Sequence, residues 1–273
     1  MNNAQDRLIT DKNKYILMKI SQPLKQTAAF LFIILLLGAC SKSSEQKVED
    51  ELPPESPNVP FFKLHRVENF AVETDDKNPT ETKSAAYFSL ETKTEAPAKY
   101  AKTARWDMGF NGLYNSFIAG NSGTDGSNLG YGGPGAGGIL ILEKAFDEVV
   151  DIPSDAQFKT KGGVVGTDEH GDFGVGTGWY LYDFGGGLMS NSSFDKQHVA
   201  YALSTPMTMT NGTKLAARTI VVRTGKGNYA KVKMISCYKD AFTPDKWFRT
   251  TPHMFFTFEY VLVPKGSTKF EIK

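Results

Sequence analysis

The distribution of glycine is the feature that most restricts how this 273-residue chain can fold. Of its 26 glycines, 21 lie between Gly109 and Gly187. Each glycine costs about 0.5–1 kcal/mol relative to alanine inside a helix or strand, because it loses more conformational freedom on folding. We therefore expect the central third of the chain to form long loops, carried on a scaffold that the flanking segments supply.

The flanking segments carry the period-two pattern of β-strands. Large apolar residues recur at every second position from Phe256 to Leu262, and a similar alternation runs from Ala230 to Tyr238. Residues 217–224 are rich in β-branched side chains, and the loop Gly225–Asn228 joins them to the next strand as a hairpin. Two shorter strands are predicted at residues 86–92 and 138–142.

Helical periodicity of useful length appears only before residue 40. We therefore predict that residues 61–273 form a single all-β domain, with two packed sheets in a sandwich or a related twin-sheet architecture and long Gly-rich loops. A segment of this length can bury a substantial core.

The N-terminal 39 residues have the organisation of a secretory signal. Lys19 and Lys25 precede an uncharged, almost wholly apolar run over residues 28–37, which leads into the small pair Gly38-Ala39 and then Cys40. The run is too short to cross a bilayer core of ~30 Å, which needs about 20 apolar residues. An ordinary signal would begin at Met18, so Met1 and Met18 are both candidate starts of translation.

A cysteine directly after the small pair is typical of a bacterial lipoprotein signal. By this resemblance, residues 1–39 are a signal peptide, and Cys40 is acylated, for example with palmitate, and becomes the first mature residue. We therefore expect the protein to lie outside the cytoplasm, held to a membrane by lipid, at its periplasmic face or at the cell surface. Residues 40–60 would form a disordered tether, since they contain four prolines and an acidic cluster.

Charge and cysteine content narrow the possible partners. Residues 1–39 contain five basic and two acidic residues, so the mature chain carries 26 basic against 28 acidic residues. This balance provides no basic field for nucleic acid. If Cys40 is lipidated, no disulfide can form within the chain, and Cys237 in its alternating apolar run is expected to be a buried small hydrophobe.

Catalytic motifs are weakly represented. The Gly-rich run from Gly120 to Gly138 lacks the Gly-Lys-Ser/Thr ending of a phosphate-binding loop. Asp168, Glu169, His170 and Asp172 gather three carboxylates and an imidazole, but without the spacing of a calcium-binding loop. A solvated turn explains this cluster more simply. A metal-dependent hydrolase would rest on this cluster alone, and we predict that the protein is not an enzyme.

The chain has four histidines, and two of them lie in or beside its glycine-rich middle. His65 and His253 belong to or adjoin strand patterns, where packed or rim histidines are common. His170 and His198 lie in or beside the loop-rich middle, where binding residues tend to occur, and so does Met189. Imidazole and thioether groups can both hold haem iron, although each residue taken singly is more simply explained as a bystander.

Several segments together resemble the HmuY-like lipoproteins. Trp106–Asn111 followed by Asn121–Thr124 is similar to the family's WD-x-x-F … N-x-G-T segment, and Gly178–Asp183 followed by His198 is similar to its GWY-x-Y … H segment. The family's VVRT-x-GKYAKV hairpin is matched by Thr219–Thr224 followed by Gly227–Val232. Its SYYKD segment is matched by Ile235–Asp240, and its YTFRY segment by Phe256–Tyr260. The similarity spans about residues 86–270.

This resemblance implies an all-β haem-binding lipoprotein, or haemophore, of the Gram-negative outer membrane. Such a protein would take haem from haemoproteins and pass it to a TonB-dependent outer-membrane receptor. Haem iron would then be held by His198 first, with Met189 and His170 as further candidate ligands. Ring surface beside the haem would come from six aromatic residues, namely Tyr114, Phe117, Tyr131, Trp179, Tyr180 and Tyr182.

The chain departs from the family pattern at one place. The best-known member uses two histidines, one of them shortly after the WD-x-x-F segment, where this chain has Asn111, Gly112 and Tyr114. The paired-histidine mode therefore cannot be carried over intact. The alternative to haem binding is a surface lipoprotein β-domain that binds a glycan or a protein through its glycine-rich and aromatic loops.

Lipidation can be tested directly at Cys40. We expect the wild-type chain, expressed in a Gram-negative host, to incorporate labelled palmitate, because the thiol of Cys40 is the acceptor in a lipoprotein signal. The variant Cys40→Ser should lose the label, whereas Cys237→Ser should keep it. Label retained in Cys40→Ser would contradict the predicted anchor.

Overall fold

The computed structural model describes residues 55–273, which belong to one compact unit. With strands numbered in chain order, the first sheet has the order β1 (Leu64–Ala71), β13 (His253–Val263), β12 (Tyr229–Tyr238), β11 (Thr219–Arg223) and β6 (Gly138–Leu142). The second sheet has the order β3 (Thr94–Ala96), β2 (Ala86–Ser89), β4 (Met108–Asn111) and β5 (Phe117–Gly120). All neighbouring strands within both sheets are antiparallel.

Two short ribbons complete the strands. They are β7 (Tyr180–Asp183) with β8 (Val199–Ala202), and β9 (Met207–Thr208) with β10 (Lys214–Leu215). The helices among the described residues are six three-residue 3-10 turns, at Ala98–Tyr100, Leu113–Asn115, Phe146–Glu148, Asp155–Gln157, Phe194–Lys196 and Pro244–Lys246. None of them is long and apolar enough to cross a membrane. The predicted all-β class is therefore confirmed.

The strands predicted from period-two patterning are present with small shifts at their ends. The predicted strand over residues 86–92 stops at Ser89, and the one over 217–224 is observed at Thr219–Arg223. The loop between β11 and β12 closes as a hairpin, because the amide of Thr224 donates to the carbonyl of Asn228 at 2.8 Å and Gly227 adopts φ +91°.

The two larger sheets pack face to face through aromatic side chains. Phe88 of β2 contacts Phe258 of β13 with ring centroids 5.2 Å apart, and Phe110 of β4 contacts Phe256 at 4.7 Å. All four rings are buried. Edge and tilted contacts of this kind add about 0.5–1.5 kcal/mol per pair beyond the burial of apolar area. The sandwich predicted from the sequence is therefore built on a continuous aromatic core.

The central glycines do not all lie in loops, because β4 and β5 fall within the glycine-rich third. A Cβ on Gly120 would lie 2.5 Å from the backbone of Gly138, and one on Gly109 would lie 3.0 Å from the ring of Trp106. The backbone contact excludes a side chain at Gly120, whereas a side chain at Gly109 would require the neighbouring side chains to shift. The sequence pattern did not predict β4 and β5, because glycine was taken to indicate conformational freedom and therefore loops.

Two asparagine amides hold the loop after β5 in place. The side chain of Asn121 donates to the carbonyls of Thr103 (2.8 Å) and Trp106 (2.9 Å). The side chain of Asn128 donates to the carbonyls of Gly120 (2.8 Å) and Thr160 (2.7 Å). Both side-chain amides donate to backbone carbonyls in place of backbone N–H groups, so they hydrogen-bond this segment to the rest of the fold.

Trp106 and Asp107 join the two sheets. The indole of Trp106 is buried and donates to the carbonyl of Ala101 at 3.0 Å. Asp107 accepts the amide of Leu90 at 2.7 Å, in the turn after β2, and the amide of Gly225 at 3.0 Å, in the β11–β12 hairpin. The motif that begins the family-like segment is thus a structural junction.

The start of the described region lies against the domain. Glu55 pairs with Lys226 in the β11–β12 hairpin, and the amide of Val59 donates to the carbonyl of Glu91 at 2.7 Å. Residues 55–60 fall within the predicted tether of residues 40–60. The predicted signal peptide, Cys40 and the rest of that tether lie outside the described residues.

Asp107 is expected to make folding stability depend on pH. Burial, followed by the nearby charge of Glu91, raises the pKa of Asp107 to about 7. A carboxyl whose folded-state pKa is raised stabilises the fold fully below the unfolded pKa and loses that contribution as the pH rises through the folded pKa. The window here runs from about pH 4 to about pH 7.

We therefore predict that the free energy of unfolding of the wild type falls relative to that of Asp107→Asn as the pH rises from 4 to 7, by up to ~4 kcal/mol. Urea denaturation at fixed pH values across this range measures the difference. Asp147→Asn, which changes an exposed carboxylate, is the matched control. Parallel curves for the wild type and Asp107→Asn would contradict the assignment.

Candidate functional site

A cavity of about 360 Å³ opens at the end of the sandwich. The β7–β8 ribbon, the 3-10 turn that follows β4 and the adjoining ends of β12 and β13 supply its walls. The residues that line it are predominantly aromatic or apolar, and they are Asp76, Pro79, Leu113, Tyr114, Ser116, Phe117, Thr167, Asp172, Phe173, Trp179, Tyr180, Tyr182, His198, Ala200, Cys237, Tyr238, Arg249, His253 and Met254. Its volume and lining are typical of pockets for small organic ligands.

His198 lines this cavity immediately before β8. Its Nδ1 is 2.9 Å from the hydroxyl of Tyr182 on β7, and the ring of Phe184 packs edge-on against the imidazole at 4.6 Å. Burial, followed by the charge of Arg249, lowers the pKa of His198. A neutral imidazole is the form that binds a metal, and a hydrogen bond at one ring nitrogen orients the other. Among residues 55–273 no hydrogen bond to the Nε2 of His198 is seen, so this nitrogen is available.

His253 lines the same cavity from the start of β13. Its Nε2 is 2.9 Å from the carboxylate of Asp76, and its Nδ1 is 3.4 Å from the carbonyl of Thr251. The rings of Tyr114 and Tyr238 contact it edge-on, at 5.9 and 6.4 Å. The expectation of a rim or packed histidine describes its surroundings, but sequence reasoning did not place it beside His198. Only the pairing of strands distant in the chain brings the two to one cavity.

Backbone strain is concentrated in the walls of the cavity. Ten non-glycine residues among those described have positive φ, and four of them, Tyr114, Phe173, His198 and Met254, line it. Each such conformation costs of order 1–3 kcal/mol and persists only where the surrounding structure holds it. The turn that carries Tyr114 is held by Asn115, whose amide donates to the carbonyls of Glu73 and Ser84. The cavity is therefore shaped in advance of any ligand.

The GWY-x-Y segment builds one wall of the cavity. The indole of Trp179 donates to the carbonyl of Ser116 at 2.8 Å, which ties β7 to the turn before β5. The hydroxyl of Tyr180 bonds with those of Thr167 (2.8 Å) and Ser116 (2.9 Å). Burial, with smaller effects from neighbouring tyrosines, raises the pKa of Tyr182 to about 12, so its phenol is neutral.

Five of the six aromatic residues expected to offer ring surface line the cavity, and Tyr131 does not. Cys237 also lines it and is almost wholly buried, as predicted for a small hydrophobe. Burial raises the pKa of its thiol to about 12, so the sulfur remains protonated. The walls are therefore neutral over most of their area.

His170 and Met189 do not line the cavity. The Nδ1 of His170 is 2.8 Å from the carboxylate of Asp168, which is itself buried in an ion pair with Arg218 at 2.9 Å. The amide of Met189 donates to the carboxylate of Asp183 at 3.0 Å, and its side chain packs against the core. Their assignment as iron ligands stays a prediction, and the structure does not bring either to the cavity with His198.

The carboxylates of the acidic cluster considered for metal chemistry have two different roles. Asp168 neutralises Arg218, whereas Asp172 lines the cavity and accepts the amide of Phe184 at 2.7 Å. Within residues 55–273, no group of three or more His, Cys, Asp and Glu side chains is arranged to hold a metal ion. The geometry gives this cluster a structural role.

A known protein family matches the part of the chain that supplies most of the cavity lining. The family model for HmuY protein matches residues 81–249, which include Tyr114, Tyr182, His198 and Arg249 but not His253. No curated protein matches the chain significantly.

Two solved structures are similar to the chain at low identity. The apo HmuY analogue of Tannerella forsythia is 14% identical, with 75% of this chain and 99% of that chain covered, at a TM-score of 0.34. A protein from Bacteroides vulgatus described as HmuY-like and haem-binding is 11% identical, with 76% and 97% covered, at a TM-score of 0.29.

The environment of His198 can be tested by titration. We expect its imidazole to protonate below its ordinary pKa, and Arg249→Gln to raise the pKa, because removal of a nearby positive charge favours the imidazolium. Proton NMR of the ring resonances as a function of pH measures the shift. Arg223→Gln, at an arginine outside the cavity lining, should leave the titration unchanged. An unaltered His198 pKa in Arg249→Gln would contradict the electrostatic contact.

Proposed function

The chain belongs to the HmuY family, and from this premise we propose that it is a haem-binding protein, a haemophore that captures haem for uptake by a receptor. The observation that carries the proposal is the imidazole of His198, held by Tyr182 in a preformed aromatic cavity with its Nε2 available. Haem suits such a site because it is a flat, largely apolar macrocycle whose iron accepts an imidazole or thioether ligand.

The residues present fit this group. The cavity of about 360 Å³ lies within the range of organic-ligand pockets, and its aromatic walls can pack against a planar ring. His198 is the first axial ligand in this proposal, with Tyr182 fixing the orientation of its imidazole. Burial and Arg249 favour the neutral imidazole, in which one ring nitrogen carries no proton. In this proposal Nδ1–H donates to the hydroxyl of Tyr182, so the unprotonated nitrogen is Nε2.

His253 is the candidate for a second ligand. Its Nε2 is held by Asp76, so ligation through that nitrogen requires the contact to open, and Asp76 is exposed. Met189 and His170 remain alternative ligands predicted from the sequence, and each would have to reach the cavity from outside its lining. These requirements rank His253 ahead of them.

The wider biological role is also part of the proposal. Anchored through a lipid on Cys40 in the outer membrane, the domain would take haem from haemoproteins and release it to a TonB-dependent receptor. Its function is binding and transfer, without catalysis. The conformational constraint at His198 and Tyr114 supports this role, since a preformed cavity binds without the cost of ordering its loops.

A second candidate function is the binding of a glycan or a protein by the same end of the domain. The supporting observation is a group of exposed apolar side chains there, in which Phe173 is 76% and Phe184 is 47% exposed and their rings contact at 5.7 Å. Exposed apolar patches mark contact surfaces. This alternative predicts retention on a partner and no spectral response to haem.

Haem titration separates the two candidates. We expect addition of haem to the purified protein to produce a shifted, saturable Soret band, and His198→Ala to weaken binding tenfold or more because the iron loses a ligand. His65→Ala is the matched control, since His65 packs on Tyr260 away from the cavity lining.

The same titration is repeated on His253→Ala, Met189→Leu and His170→Ala. The second ligand is the residue whose replacement changes the spectrum. No Soret shift in the wild type would contradict haem binding and leave the contact-surface function. A normal shift in His198→Ala would contradict only the assignment of that ligand.

A further inference from the structure

A second, smaller cavity of about 270 Å³ lies beside the first. The two share Asp76, Arg249 and His253, so Arg249 stands at the junction of both. The remaining residues of the smaller cavity are Thr74, Thr250, Thr251, Pro252 and Phe255. The smaller cavity is thus lined by threonine hydroxyls and a guanidinium, and it adjoins the aromatic main cavity. A flat apolar ring in the main cavity would leave these polar groups unused.

Arg249 differs from the other arginines of the described region in its charge balance. Four of the five have a carboxylate within 4 Å, namely Arg66, Arg105, Arg218 and Arg223. Arg249 has no such ion pair within residues 55–273. It lines the main cavity together with His198.

The guanidinium of Arg249 is also held in position. It lies over the ring of Phe194 at 4.5 Å, and its Nη1 donates to the side-chain oxygen of Gln197 at 3.2 Å. The backbone amide of Arg249 donates to the carbonyl of Asp195 at 2.8 Å. A guanidinium has five N–H donors in a planar fork, so the donors left over can bind an anion without further ordering of the side chain.

Thr74 supplies a second, independent sign of a missing ligand. Its Oγ1 is buried and has no hydrogen-bond partner among the described residues. An unsatisfied buried hydroxyl costs about 1–3 kcal/mol, and Thr74 lines the same small cavity as Arg249. Rotation of the Thr74 side chain would turn the hydroxyl into the cavity, where a polar ligand atom would relieve this cost.

The carboxylates that face the cavities are already engaged. Asp76 contacts the imidazole of His253 at 2.9 Å, and Asp172 accepts the amide of Phe184. Among the described charged groups that line the smaller cavity, Arg249 is the one without an oppositely charged or imidazole partner.

We propose that the smaller cavity is a carboxylate subsite, in which Arg249 and Thr74 bind an anionic side group of the ligand whose apolar body fills the main cavity. This inference rests on the proposed haem-binding function, since porphyrins of the haem type carry two propionate groups on an apolar ring. Arginine binds carboxylate through paired, charge-assisted hydrogen bonds, which are about twice as strong as neutral ones. The subsite would orient the ring and select porphyrins that keep a free carboxylate.

Binding of metal-free protoporphyrin IX and of its dimethyl ester, followed by tryptophan fluorescence quenching, tests the subsite without iron ligation. We expect the wild type to bind the diacid about tenfold or more tightly than the diester, with a preference that weakens as ionic strength rises. Arg249→Gln should bring the affinity ratio close to one, Arg249→Lys should leave it intermediate, and Thr74→Val should reduce it. Arg223→Gln, whose arginine pairs with Asp155 outside both cavities, should keep the wild-type ratio.

Equal affinities of the wild type for diacid and diester would overturn the subsite, as would an unchanged ratio in a folded Arg249→Gln variant. The salt dependence of the wild-type ratio provides the test if that variant does not fold, and a ratio insensitive to salt overturns the proposal. Soret titrations with haem and with haem dimethyl ester distinguish failure of the carboxylate subsite from failure of the proposed haem binding. Equal shifts with both leave haem binding intact and remove the subsite, whereas no shift with either removes haem binding itself.

Discussion

The buried carboxylate of Asp107 is the interaction on which the rest of the structure depends. It accepts backbone amides from the turn after β2 and from the β11–β12 hairpin, and so joins the small sheet to the large one. The adjacent indole of Trp106 packs against Tyr87 at 5.0 Å and lies close to the backbone at Gly109. With the sheets joined in this way, β4 and β5 are held beside β6 despite their glycines.

This junction has consequences for the distant cavity. The turn that carries Tyr114 continues directly from β4, and its strained backbone is retained only because β4, β5 and the side chain of Asn115 are held in place. Trp179 then ties the β7–β8 ribbon to the same turn through its bond to the carbonyl of Ser116. The position of His198 follows from that ribbon, so the cavity is built on the packing of the sandwich and not on a flexible loop.

The family-like motifs divide into two physical groups when they are placed in the structure. Trp106, Asp107 and Asn121 are buried and satisfy backbone groups, so these residues maintain the fold. Tyr182 and His198 line the cavity, so these residues shape the candidate site. The motifs therefore comprise one group that maintains the fold and one that lines the cavity. The absence of a histidine near Asn111 leaves the first group untouched.

The sequence by itself determined the all-β class, the long strands of the large sheet and the glycine hairpin, because alternation and turn chemistry are local properties. It also singled out His198 and the buried state of Cys237. Only the tertiary structure decided that the central glycines serve close contacts, because such contacts join Gly120 to Gly138 and not to its neighbours in the chain. It alone brought His253 and Arg249 to the cavity of His198, since strand pairing and core packing place residues that are more than 50 positions apart side by side.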